Sequence, residues 1–73
     1  MAVNVDGEKL RVVRERALLS RRELAEKSGV SMDTIQRVEL GEGGAFGRTV
    51  RRLAEALDID PEELLEGKAL ART

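Results

Sequence analysis

The chain contains no cysteine, histidine, tryptophan or tyrosine, a single proline (Pro61) and a single aromatic residue (Phe46). Each absence removes a class of chemistry. Without cysteine there is no disulfide framework and no thiolate metal site. Without histidine the usual general base near neutral pH and the commonest metal ligand are missing too. An enzyme is therefore not expected, and neither a metal nor any other cofactor is called for. No apolar run exceeds three residues, far short of a membrane span. Met1 to Lys9 shows neither the basic start nor the apolar stretch of a secretory signal. These features predict a soluble, cytoplasmic protein.

What is present is a 73-residue chain, enough for one small domain. Apolar residues make up 41% of it, so with so few aromatics the core has to be built from Leu, Val, Ile and Ala, which suits packed helices. Net charge is −1, from 13 basic and 14 acidic residues, but its distribution is uneven. Residues 1–41 carry eight Lys or Arg against seven acids, and residues 42–73 carry five against seven. A locally basic face is compatible with that split, although the overall sum gives it no support.

Caps and a 3.6-residue apolar rhythm divide the chain into five predicted helices. Asp6 caps the first, with Leu10, Val13 and Ala17 as its inner stripe and an end near Leu18. Ser20 opens the second, and Glu23 three residues on completes a capping box. Gly29 closes that helix. Ser31 caps a third through about Leu40, with Ile35 and Val38 facing inward and Gly41 terminating it. Residues 41–47 are too rich in glycine for anything but a loop, under which Phe46 is expected as a core plug. Those glycines form no phosphate loop, because no Gly-Lys-Ser/Thr closes them and no strand precedes them. Val50, Leu53, Ala54 and Leu57 mark a fourth helix, whose Arg48, Arg51 and Arg52 read as a solvated face. Asp60 is expected to cap a fifth helix, with Pro61 at its first position, Glu63 completing a second box and Gly67 ending it. The predicted core spans about residues 8–66, with 1–5 and 68–73 flexible.

The segment Ser20–Gly41 is two short helices around the tight turn Gly29-Val30-Ser31, a geometry that leaves one face of the second helix free to project. Here the sequence resembles the Cro and phage-repressor (XRE-type) helix-turn-helix family. The resemblance rests on Leu19-Ser20-Arg21-Arg22-Glu23-Leu24-Ala25-Glu26-Lys27-Ser28-Gly29-Val30-Ser31, then on Thr34-Ile35-Gln36-Arg37-Val38-Glu39 and Gly41. It continues through Thr49-Val50-Arg51-Arg52-Leu53-Ala54-Glu55-Ala56-Leu57 and Pro61-Glu62-Glu63-Leu64-Leu65.

The resemblance implies an all-α, compact five-helix, lambda-repressor-like DNA-binding domain that regulates transcription. It makes Ala25 the small residue at the helix crossing and Gly29 the turn glycine, with Leu24, Val30, Ile35 and Val38 in the core. Arg14 and Glu39 match the family's inward-facing ion pair. Met32, Asp33, Gln36 and Arg37 fall at base-contacting positions, and Ser20, Arg21, Ser31 and Thr34 at phosphate-contacting ones. Side-chain chemistry agrees with several of these assignments. Gln36 offers a donor and an acceptor that match adenine N6 and N7, Arg37 can fork onto guanine or hold a phosphate, and Met32 suits a thymine methyl. Arg21 sits at a helix start whose amides favour anions.

The implied partner is double-stranded DNA carrying a palindromic operator, bound by a homodimer with half-sites about 34 Å apart. Leu64, Leu65 and Leu70 are candidate dimer contacts that serve equally as core. Some positions depart from the family pattern. Arg21 replaces a usual glutamine, Glu42 and glycines follow Gly41 where basic residues and a proline are common, Leu40 replaces a frequently polar position that touches the backbone, and Asp33 puts a negative charge toward DNA. These departures keep a second reading open, a protein-interaction module on the same fold (antitoxin-like or regulator-docking) with weak or no DNA binding.

Overall fold

A computed structural model describes residues 2–42 and 44–65. The element order is β1 (Ala2–Val3), α1 (Gly7–Arg16), α2 (Arg21–Ser28), α3 (Met32–Glu39), β2 (Ala45–Phe46), α4 (Gly47–Leu57) and a 3-10 turn at Pro61–Leu64.

Local chemistry accounts for most of these boundaries. Asp6 accepts a hydrogen bond from the Lys9 amide at 3.1 Å and starts α1. At α2 the capping box is closed on both sides: the Glu23 amide donates to Ser20 Oγ at 3.0 Å, and the Ser20 amide donates to Glu23 Oε1 at 2.8 Å. Gly29, at φ 78°, takes the left-handed conformation that ends α2, with its N–H on the Ala25 carbonyl. Ser31 Oγ accepts from the Thr34 amide at 3.1 Å and starts α3, which stops at Glu39 with Leu40 as its cap.

The core takes one large, fully buried side chain from each helical element: Leu10, Leu24, Ile35, Leu53 and Leu64. Val5, Val30, Val38, Ala45, Val50, Ala54, Ala56 and Leu57 surround them, with Val13, Leu19 and Ala25 packed at the margin. Fully burying a leucine or isoleucine contributes about 1.5–3 kcal/mol, so this cluster is the main source of stability.

Several sequence expectations are corrected. The five-helix count becomes four α-helices and a 3-10 turn among the described residues. Asp60 gives no side-chain cap, so the second box with Glu63 does not form. The reason lies just beyond: Leu65 is extended and bridges Val5, and the Asp6 amide donates to the Leu64 carbonyl at 2.8 Å. Those pairings draw the chain out of a helical path after a single turn. The same contacts bury Val5, so residues 2–5, expected as a flexible lead-in, are built into the domain. Within this segment β1 pairs antiparallel with β2, Ala2 opposite Phe46 and Val3 opposite Ala45. Part of the glycine-rich segment expected as loop is thus a strand.

Strand alternation also explains Phe46. Ala45 turns inward and is buried, so its neighbour turns outward, and Phe46 is 58% exposed instead of plugging the core. Leu64 is wholly core, which removes it from the candidate dimer contacts. Ala17 lies at the cap of α1 and is exposed, outside the inner stripe assigned to it. Gly67, Leu70 and the expected tail at 68–73 lie outside the described residues.

Gly7 shows how tightly α1 meets the end of α3. A Cβ at this position would overlap the main-chain carbonyl oxygens of Val38 and Glu39. Gly7→Ala is therefore expected to destabilise the fold by about 1–3 kcal/mol, the usual cost of overpacking, read as a lower urea midpoint with an unchanged slope.

Candidate nucleic-acid interface

The α3 helix has two sharply different faces. Ile35 and Val38 are buried, while Met32, Asp33, Gln36 and Arg37 are exposed. Residues 32, 33, 36 and 37 are spaced three and four apart, so they form one outward surface of the helix. All four residues that the sequence assigned to base contact are brought together there. Along that surface Arg37 Nε lies 3.8 Å from Asp33 Oδ2, one helical turn away. Each charge partly offsets the other, so the unfavourable acid on this face does not stand alone.

The residues assigned to phosphate contact lie around this surface. Ser20 and Ser31 are both helix caps, each with its Oγ accepting a main-chain N–H. Ser31 Oγ also donates to Thr34 Oγ1 at 2.9 Å, leaving the Thr34 hydroxyl its own proton to give. Arg21 differs from its expected place as a free clamp. Its Nε–H donates to Glu39 Oε1 at 3.0 Å, and its side chain is 40% exposed. The two residues are 18 apart in sequence on different helices, so no local spacing signals the contact.

The ion pair implied for Arg14 and Glu39 is present and buried. Arg14 Nε donates to Glu39 Oε2 at 2.7 Å and Nη2 to Oε1 at 3.2 Å, while Nη1 donates to the Leu19 carbonyl at 2.9 Å. The Glu39 side chain is 1% exposed and that of Arg14 9%. Hydrogen bonding to Glu39 raises the Arg14 guanidinium above its ordinary value, outweighing the lowering effect of burial. A raised value of this kind gives stability that is lost only as pH climbs through it, so the Arg14 guanidinium keeps its charge across the neutral range.

A groove of about 330 Å³ runs beside α3, lined by Thr34, Arg37, Gly44, Ala45, Phe46 and Thr49. It joins the outward face of α3 to the start of α4, and exposed Phe46 stands on its rim. The sequence had placed Phe46 inside. Its membership of this surface follows from the β1–β2 pairing, which a two-residue strand does not announce. Among the described residues no group of acidic side chains is placed to hold a metal ion, and no helix is long and apolar enough to cross a membrane.

Comparison with known proteins agrees with this geometry. A family model described as a helix-turn-helix domain matches residues 7–66. The HTH-type transcriptional repressor RghR of Bacillus subtilis is 45% identical over 60 residues, covering 81% of this chain and 44% of that protein. The chain spans between 22% and 44% of the length of the curated relatives it matches. Among solved structures, the restriction-modification controller protein C.AhdI from Aeromonas hydrophila superposes with a TM-score of 0.77 at 37% identity, covering 81% of this chain and 89% of that one. The P22 c2 repressor, solved in complex with a synthetic operator, gives the same TM-score at 31% identity, covering 84% and 92%.

The geometry sets two contrasting expectations for stability. Arg14→Ala leaves the Glu39 carboxylate buried without its principal partner and should cost about 3–5 kcal/mol in urea denaturation. Arg37→Ala removes one member of an exposed pair and should change stability by no more than about 0.5 kcal/mol in the same measurement.

Proposed function

This chain belongs to the Cro and phage-repressor type of helix-turn-helix domain, and from that premise we propose that it is a sequence-specific DNA-binding transcriptional regulator of the cytoplasm. The observation that carries the reading is the division of α3 into a face locked in the core and a face of exposed, hydrogen-bonding side chains. A helix held this way by its partner enters the major groove with its outer residues against base edges. The P22 c2 repressor, solved in complex with a synthetic operator, supports DNA as the partner. The naming of RghR as a transcriptional repressor favours regulation over a protein-docking module.

In this reading Gln36 pairs with adenine through N6 and N7, and Arg37 forks onto guanine O6 and N7. Met32 meets a thymine methyl. Asp33, paired with Arg37 in the free protein, either buttresses that arginine or accepts from a cytosine amino group. Ser20, Arg21, Ser31 and Thr34 hold phosphates on either side, fixing register without reading sequence. A homodimer would place two such helices about 34 Å apart on a palindromic operator.

The test is selection of bound duplexes from a random library at low salt, followed by sequencing. An enriched half-site is the expected result, and Gln36→Ala should lose about 1–3 kcal/mol of discrimination at a single base pair while retaining preference elsewhere. A folded protein that enriches no sequence would overturn the assignment.

A further inference from the structure

The cluster at the end of α3 holds two arginines on one carboxylate, and the three side chains are not equally committed. Arg14 uses Nε and Nη2 on Glu39 and Nη1 on the Leu19 carbonyl. Arg21 uses only Nε, and its side chain remains 40% exposed. The cluster carries one positive charge beyond neutrality, since two guanidinium groups face a single carboxylate. Of the two guanidinium-bearing side chains, that of Arg21, at the first position of α2, is the more exposed.

We infer that Glu39 is a positioning residue for DNA binding: it tethers Arg21 by Nε so that the two terminal nitrogens are presented, already oriented, to a backbone phosphate. This rests on the reading of the chain as a DNA-binding regulator. A guanidinium can serve two oxygens at once because its five N–H groups lie in one plane, one edge toward Glu39 and the other free. A lysine ammonium carries its three donors on one nitrogen, so it has no separate two-nitrogen edge to offer a phosphate while another edge holds the carboxylate. The tether also removes side-chain freedom before binding, and less is then lost when the phosphate is gripped. Glu39 is itself anchored by Arg14, so the tether is fixed to the core and not to another mobile chain.

The experiment measures affinity for a short mixed-sequence DNA duplex over a range of salt concentrations, with melting followed in parallel by circular dichroism. Arg21→Ala is expected to bind roughly tenfold more weakly at low salt, with the slope of log K against log salt reduced by about 0.9. Arg21→Lys should keep most of the slope, because the charge remains, yet bind several-fold more weakly. In a Glu39→Gln background, where folded, removing Arg21 should cost clearly less than it does in the parent chain. Where that background does not fold, the two Arg21 variants decide the matter alone, since both leave Arg14 on Glu39.

An Arg21→Ala protein with unaltered slope, or an Arg21→Lys protein as tight as the parent, overturns the inference. Arg21 would then be a brace between helices in the first case and a loose charge in the second. A folded parent chain that fails to bind the duplex at any salt overturns the regulator reading itself, a result distinct from either of those.

Discussion

The Glu39 carboxylate is the point on which this small structure turns. It is nearly sealed from solvent, and it accepts three hydrogen bonds from two arginines on two other helices. A buried ion pair adds little net stability over apolar packing, because desolvating both charges consumes most of the attraction. Its value here is geometric. Glu39 is the last residue of α3, so fixing it fixes the angle at which α3 leaves the core. Arg14 binds it from α1 and also reaches back to the Leu19 carbonyl just ahead of α2, tying three helices at a single site.

Apolar packing supplies the energy that this polar junction does not. One large aliphatic side chain from each helical element meets at the centre. With no tryptophan or tyrosine to place, the core carries no polar handle that would need a buried partner. The Gly7 contact sets the closest approach, where α1 begins against the carbonyls that end α3. Packing thus holds one side of α3, and the ion cluster holds its end. The side left free is the one that carries Gln36 and Arg37.

The parts of this arrangement that are local in sequence are legible in the sequence alone. The Ser20–Glu23 box, the Gly29 turn and the Ser31 cap are encoded within a few residues, and each takes the form expected of it. The inward positions of Ile35, Val38 and Leu53 follow from helical periodicity, and that of Leu24 from the family resemblance. The Arg14–Glu39 pair was implied by family resemblance, not by spacing. What escaped depends on contacts between distant segments. A two-residue strand shows no alternation, so the β1–β2 pairing and the outward turn of Phe46 left no trace in the pattern. The same holds for Arg21: the family resemblance and its place at a helix start imply a phosphate contact, but its bond to Glu39 exists only once the helices have packed. The Asp60-Pro61-Glu62-Glu63 stretch shows the opposite failure. Pro61 opens the turn as expected, but the Asp60 side chain makes no cap bond, and the pairing of Leu65 with Val5 follows directly after one turn.

That pairing has a topological consequence. Val5 and Leu65 lie side by side as antiparallel neighbours, so the chain between them is a ring in all but a covalent link. In such an arrangement the order in which the helices occur along the polypeptide is separable from the order in which they pack. A peptide linker joining the ring there would let the chain be reopened in the glycine-rich connection after α3, producing a circular permutant with the same helix contacts and a different first residue.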